Sequence, residues 1–132
     1  MPPGKPVARK ETLARFSVFS HEVLKDGTPK VDLFMPDPSH TVSVFRIDGL
    51  SNALIKKVNN TVDMARRKKL VNYGYCPVNA GSVMDNGFPL DPNDEPKHHV
   101  NIEGFGPDAS TYRAKALLLS QIAGKLTDAH FK

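Results

Sequence analysis

The sequence predicts an α+β fold: a mostly antiparallel sheet with two helices packed on one face, in a single domain. Three observations carry this. Short stretches that alternate apolar and polar residues fill the chain up to residue 47, with tight turns between them. Two longer stretches, after residue 50 and after residue 107, place apolar residues at helical spacing. The sustained strand–helix alternation of a doubly wound sheet is missing.

The elements follow in order. Residues 15–23 alternate, with Phe16 and Val18 on one face and Ser17, Phe19 and His21 on the other. Asp26-Gly27 makes a tight turn before Pro29, and residues 31–35 return, so the pattern predicts a hairpin. A second turn at 36–39 leads into residues 41–47. There Val42, Val44 and Arg46 oppose Thr41, Ser43, Phe45 and Ile47. Bulk on both faces predicts a central strand.

Ser51 is placed to cap the next helix through its hydroxyl. Leu54, Val58, Val62 and Ala65 form its apolar stripe. Arg66, Arg67, Lys68 and Lys69 close it, and cations at a helix C-terminus gain about 0.3–1 kcal/mol each from the macrodipole. Residues 71–78 read as a strand, 79–82 as a turn, and 83–84 as a resumed strand. Residues 85–97, rich in Pro, Gly, Asn and Asp, read as an exposed acidic loop. A last strand at 98–102 precedes a helix capped by Asp108 or Ser110. Its stripe is Tyr112, Leu119, Ile122 and Leu126, flanked by Ala116, Leu118 and Ala123. Residues 1–12 are expected to be a flexible basic arm, 13–126 the domain and 127–132 a tail.

Composition bounds the function. A chain of 132 residues with 39% hydrophobic and 24% charged residues suits one domain with a true core. Net charge is +4 and the pI about 9.3, which favours a polyanionic or acidic partner. The lone Cys76 excludes an intramolecular disulfide and reads as core packing. No apolar run approaches the roughly 18 residues of a membrane span. The first residues lack the apolar stretch of a secretory signal, so the reducing cytoplasm is the expected compartment.

Two groups of residues carry candidate chemistry. His21, His98 and His99 lie on strand candidates, and two imidazoles sharing a pocket can act as base and acid in phosphodiester cleavage. Arg46 would then stabilise the transition-state charge. Adjacent residues of a strand face opposite ways, so one of His98 and His99 can join such a site. The second group is cationic: Lys56, Lys57, Arg66, Arg67, Lys68 and Lys69, joined by Arg9, Lys10 and Arg15 if the arm folds nearby, would meet phosphates or an acidic protein surface. The histidines and the carboxylates of 85–95 lack metal-ligand spacing, so neither metal nor cofactor is expected. Gly104 to Ser110 read as a helix cap rather than a dinucleotide or phosphate loop.

The stretches VSVFRIDGL and HHVNIEGF, the latter before an Ala/Leu-rich final helix, resemble a family of small bacterial proteins of about this length. The resemblance spans residues 15–125. It implies a bacterial cytoplasmic origin and brings no activity and no site residues.

The expected function is therefore a non-catalytic binding or accessory module whose basic face engages nucleic acid or an acidic protein. One alternative is a metal-independent phosphodiesterase or ribonuclease using the histidines. Another is an inhibitor or immunity-type protein whose acidic loop 85–95 docks a basic partner.

Overall fold

The computed structural model describes residues 4–127. Five strands form one antiparallel sheet: β1 Thr12–Phe16, β2 Val42–Arg46, β3 Tyr75–Asn79, β4 Leu90–Asp91 and β5 His99–Ile102, in the order β3-β1-β2-β5-β4. The helices are α1 Asn52–Arg66, α2 Ala80–Asp85 and α3 Tyr112–Ile122. Single 3-10 turns occupy Ser20–Glu22, Val31–Phe34 and Ala109–Thr111. The α+β class and the single small domain follow directly. No helix among the described residues is long and apolar enough to cross a membrane.

Alternation along the strands sorts two cores. Leu13, Val42, Val44, Cys76, Val78, Val100 and Ile102 face a core closed by Leu33, Phe34, Val83 of α2, and Ala116 and Leu119 of α3. Ala14, Phe16, Phe45 and Tyr75 face the other way, onto Ile55 of α1. The two long helices therefore lie on opposite faces of the sheet, not on one. The physical reason is the bulk on both faces of β2: Val44 and Phe45 are each almost fully buried, so each needs a cover. β2 is central, as its pattern predicts.

The expected hairpin at 15–35 does not form. The strand ends at Phe16, and 31–34 is a 3-10 turn. Glu22 is the cause on the first side. It is buried, and its Oε1 accepts from the amides of Val18 (2.8 Å) and Phe19 (2.9 Å) and from the Ser17 hydroxyl (3.3 Å). A carboxylate that draws these donors pulls 17–22 out of the ladder. Pro29 acts on the return side, because it has no N–H to extend the ladder. The Asp26-Gly27 turn itself is present and closes a single antiparallel bridge between Val23 and Pro29.

Residues 83–84, expected as a strand, belong to α2, whose first turn is capped by the Asn79 side chain at 2.9 Å from the Ser82 amide. The strand expected at 71–78 begins at Tyr75. Within 85–97, Leu90–Asp91 joins the sheet edge beside β5. Ser51 caps α1 as expected, accepting from the Leu54 amide. The buried stripe of α1, however, is Ile55, Asn59 and Asp63, one residue away from the expected Leu54, Val58, Val62 and Ala65. On α3, Ala116 and Leu119 are buried while Leu118 is exposed.

Of the arm expected at 1–12, the described part is tied to the body. Gly4 donates to the Pro92 carbonyl, Arg46 donates to the carbonyls of Lys5 and Pro6, and Arg9 pairs with Asp85. Of the tail expected at 127–132, Thr127 bridges to Tyr75, and the rest lies outside the described residues.

Candidate ligand pocket

A cavity of about 540 Å3 opens on the α1 side of the sheet. Its floor is sheet: Phe16, Ser43, Phe45 and His99. The second half of α1 gives one wall through Thr61, Val62, Ala65 and Arg66. The Ser20–Glu22 turn and the preceding Phe19 give another, and residues 35–38 give a third. The same event that cancels the hairpin makes the pocket, because Glu22 folds 19–22 over the end of the sheet.

Charge is placed in this cavity with care. Glu22 Oε2 pairs with Arg66 Nη2 at 3.2 Å. The guanidinium carbons of Arg66 and Arg67 each lie 5.4 Å from the centre of the Phe19 ring, and Arg67 donates to the Val18 carbonyl. The His21 ring stacks on Phe19 at 5.6 Å.

Arg15 differs from these. It is 6% exposed, donates from Nε to the Leu33 carbonyl at 2.7 Å and from Nη1 to the Ser43 carbonyl at 2.9 Å. Among the described residues no carboxylate oxygen comes within 4.0 Å of it. Burial, and then the charge of Arg66, push its pKa down to about 10, against weaker opposing pulls from Glu22 and Asp37. It is charged at neutral pH, and its surroundings disfavour that charge on balance.

His99 is buried against Phe45, with ring centres 5.3 Å apart. Its Nδ1 and the Asn93 Oδ1 lie at 2.6 Å. Asn93 Oδ1 is an acceptor, so Nδ1 carries the proton and Nε2 is left as an acceptor. Burial lowers the His99 pKa below the usual histidine value, opposed by the weaker pulls of Asp91 and Asp37.

The four residues first considered for catalysis do not converge as a set. His21 and His99 line the same cavity. His98 stands just before β5, in a turn at positive φ (75°), and lines a neighbouring recess of about 300 Å3 that shares Phe45, Thr61 and Pro96 with the cavity and adds Lys57. Arg46 is engaged elsewhere, in a two-pronged pair with Glu11 at 2.9 and 2.8 Å.

The cationic set divides as well. Arg66 and Arg67 turn inward onto Phe19, Lys57 borders the recess, and Lys56, Lys68 and Lys69 are exposed. In the acidic segment, Asp85 and Asp94 are paired with Arg9 and Lys97. Among the described residues no three His, Cys, Asp or Glu side chains gather as metal ligands. Cys76 is fully buried, and burial pushes its thiol up to about 12, which suits core packing.

Sequence reasoning counted Arg15 only as an added cation beside the N-terminal arm, not as a buried one, and missed Glu22. The available signal was a charged residue between Ala14 and Phe16 in a stretch that alternation makes part of the sheet. No family model, curated protein or solved structure matches this chain.

Proposed function

We propose that the protein is a non-catalytic binding module that receives an anionic group in the pocket at Arg15, with the cationic end of α1 as its approach. One observation carries the reading. Arg15 is a buried cation that borders an open cavity, and no carboxylate balances it at contact distance. Buried charges are normally paired, because desolvation is costly. The three carboxylates around the cavity are engaged elsewhere: Glu22 with Arg66 and main-chain amides, Asp32 with Arg113 at 3.7 Å, and Asp37 with Ser39. An entering phosphate or carboxylate would relieve Arg15 and would meet the planar donor fork that such groups fit.

The test is titration with inorganic phosphate and with pyrophosphate, followed by the amide resonances of residues 15–22 and 43–45. Binding should weaken as chloride rises. It should be lost in Arg15→Met and reduced in Arg66→Gln, with both variants folded by circular dichroism. Unchanged spectra in the wild type at millimolar pyrophosphate would sink the reading.

A second reading is favoured by a separate observation, the shared pocket of His21 and His99. An unprotonated His99 Nε2 is a competent general base, and His21 would serve as acid in phosphodiester cleavage. Single-stranded RNA incubated with the protein in chelator decides between the two. The binding module leaves it intact; cleavage that disappears in both His21→Ala and His99→Ala replaces the binding module with the nuclease.

A further inference from the structure

We propose that the ligand of this pocket is a nucleoside monophosphate, its phosphate on Arg15 and its base against the aromatic lining; this rests on the reading of Arg15 as the anion's partner. The size of the cavity is the first argument. At about 540 Å3 it falls among pockets that enclose whole organic ligands, and a bare phosphate would leave most of it empty.

The character of the walls is the second. Phe16 and Phe45 meet edge to face at 5.9 Å, and His99 lies tilted on Phe45, so the floor is aromatic, although Phe16 and Phe45 are almost fully buried and show the cavity little more than an edge. A second wall is a stack of flat groups, Phe19 with His21, Arg66 and Arg67, in which Glu22 pairs with Arg66. An accessible stack of flat groups above an aromatic floor favours a flat ring, and every nucleobase offers one. The acceptor at His99 Nε2 supplies a partner for an exocyclic amine or ring N–H.

The third argument is the entrance. Arg66 lines the cavity, and Lys68 and Lys69 are exposed just beyond the end of α1. That charge draws in a phosphate from solution. It would equally accept the end of a single strand, with the terminal nucleotide in the pocket and the following phosphates on the lysines. The chemistry recognised is the same for both sources.

Calorimetric titration with adenosine 5′-monophosphate, uridine 5′-monophosphate, ribose 5-phosphate, adenosine and a 5′-phosphorylated hexanucleotide tests this. Both nucleotides should bind about ten-fold or more tighter than ribose 5-phosphate, the span expected from one stacked base. Phe19→Leu should bring the nucleotides to within about three-fold of ribose 5-phosphate without weakening the latter. His21→Ala is the parallel variant should Phe19→Leu prove unfolded.

Equal affinities for ribose 5-phosphate and the nucleotides would overturn the base-binding claim and leave the anion site standing. Adenosine binding as tightly as its monophosphate would overturn the anion site itself. No binding of any probe by folded protein would remove both. Where the claim holds, a hexanucleotide no tighter than the mononucleotide assigns the source to free nucleotide, and a tighter, salt-sensitive one assigns it to a strand end.

Discussion

Glu22 and Arg15 are separated by a short stretch of chain and between them decide what the region becomes. The hydrophobic alternation at 15–23 is real, since Phe16 and Val18 are both buried. It fails as a strand because a buried carboxylate offers 17–19 better partners than a neighbouring strand would. Replacing Glu22 by Gln removes the charge-assisted part of those bonds and releases Arg66. The expected loss is about 2–3 kcal/mol, read as a lower urea midpoint, with reduced stacking of Arg66 on Phe19. A variant as stable as wild type would mean that the turn does not depend on that carboxylate. His99 makes a pH prediction. Its folded pKa is depressed by burial, whereas the unfolded chain takes up the proton near pH 6.5. Below that pH the unfolded state binds more protons, so stability is present above pH 6.5 and is lost as pH falls through the depressed value. His99→Gln should flatten urea midpoints over pH 5–7; an unchanged slope would assign the effect to another group. His21 and His99 were legible as a possible pair from the sequence; the alternation expected across His98 and His99 does not apply, because His98 precedes β5 in a turn at positive φ. Arg15 was legible only as one more cation beside the arm; its burial was not, because its partners Leu33 and Ser43 lie far along the chain and only their carbonyls are used.

At the scale of elements, α1 shows both the reach and the limit of periodicity. Its bounds follow from Ser51 and the closing cations, and the structure places it at Asn52–Arg66. Its orientation does not follow, because the axis of the buried face runs through Ile55, Asn59 and Asp63, two of them polar. Asp63 is there for a local reason: its Oδ2 accepts from the amides of Val71 (3.0 Å) and Asn72 (2.9 Å), which fixes the chain as it leaves the helix. Asn59 has no comparable reason. It is fully buried, and neither side-chain polar atom has a hydrogen-bond partner among the described residues. A buried amide in that state costs about 1–3 kcal/mol. Asn59→Leu should therefore raise the thermal midpoint, by an increment equivalent to about 1–2 kcal/mol once the cost of the larger side chain is included. A lower midpoint would show that the amide is satisfied in solution and that the polar seam is part of how α1 docks.

At the scale of the molecule, covering both faces of the sheet is what creates the pocket. With α3, α2 and the Val31–Phe34 turn closing one face, α1 alone spans the other, and it leaves the end of β1, β2 and β5 open beneath Phe19 and Arg66. The class of fold was legible because local alternation and helical spacing report on each element separately. The two-sided arrangement was written in β2, where Phe45 and Val44 both demand burial, but it emerges only when strand order is known. The net charge of +4 behaves similarly: the sum was plain, its division was not. Of the four cations at 66–69, Arg66 and Arg67 are turned onto Phe19, and Lys68 and Lys69 stay in solvent. If a single strand follows its terminal nucleotide out of the pocket, the two groups should separate in salt titrations. Lys68→Gln with Lys69→Gln removes two outer phosphate contacts, so the slope of log K against log salt should shrink by about 1.4, at about 0.7 per contact for a single strand. Binding of a mononucleotide should change far less under the same pair of changes, because neither lysine lines the cavity and both act on it only through the screened field at its entrance. A hexanucleotide whose slope is the same in wild type and double variant would show that the strand leaves by another route and that Lys68 and Lys69 do not contact it.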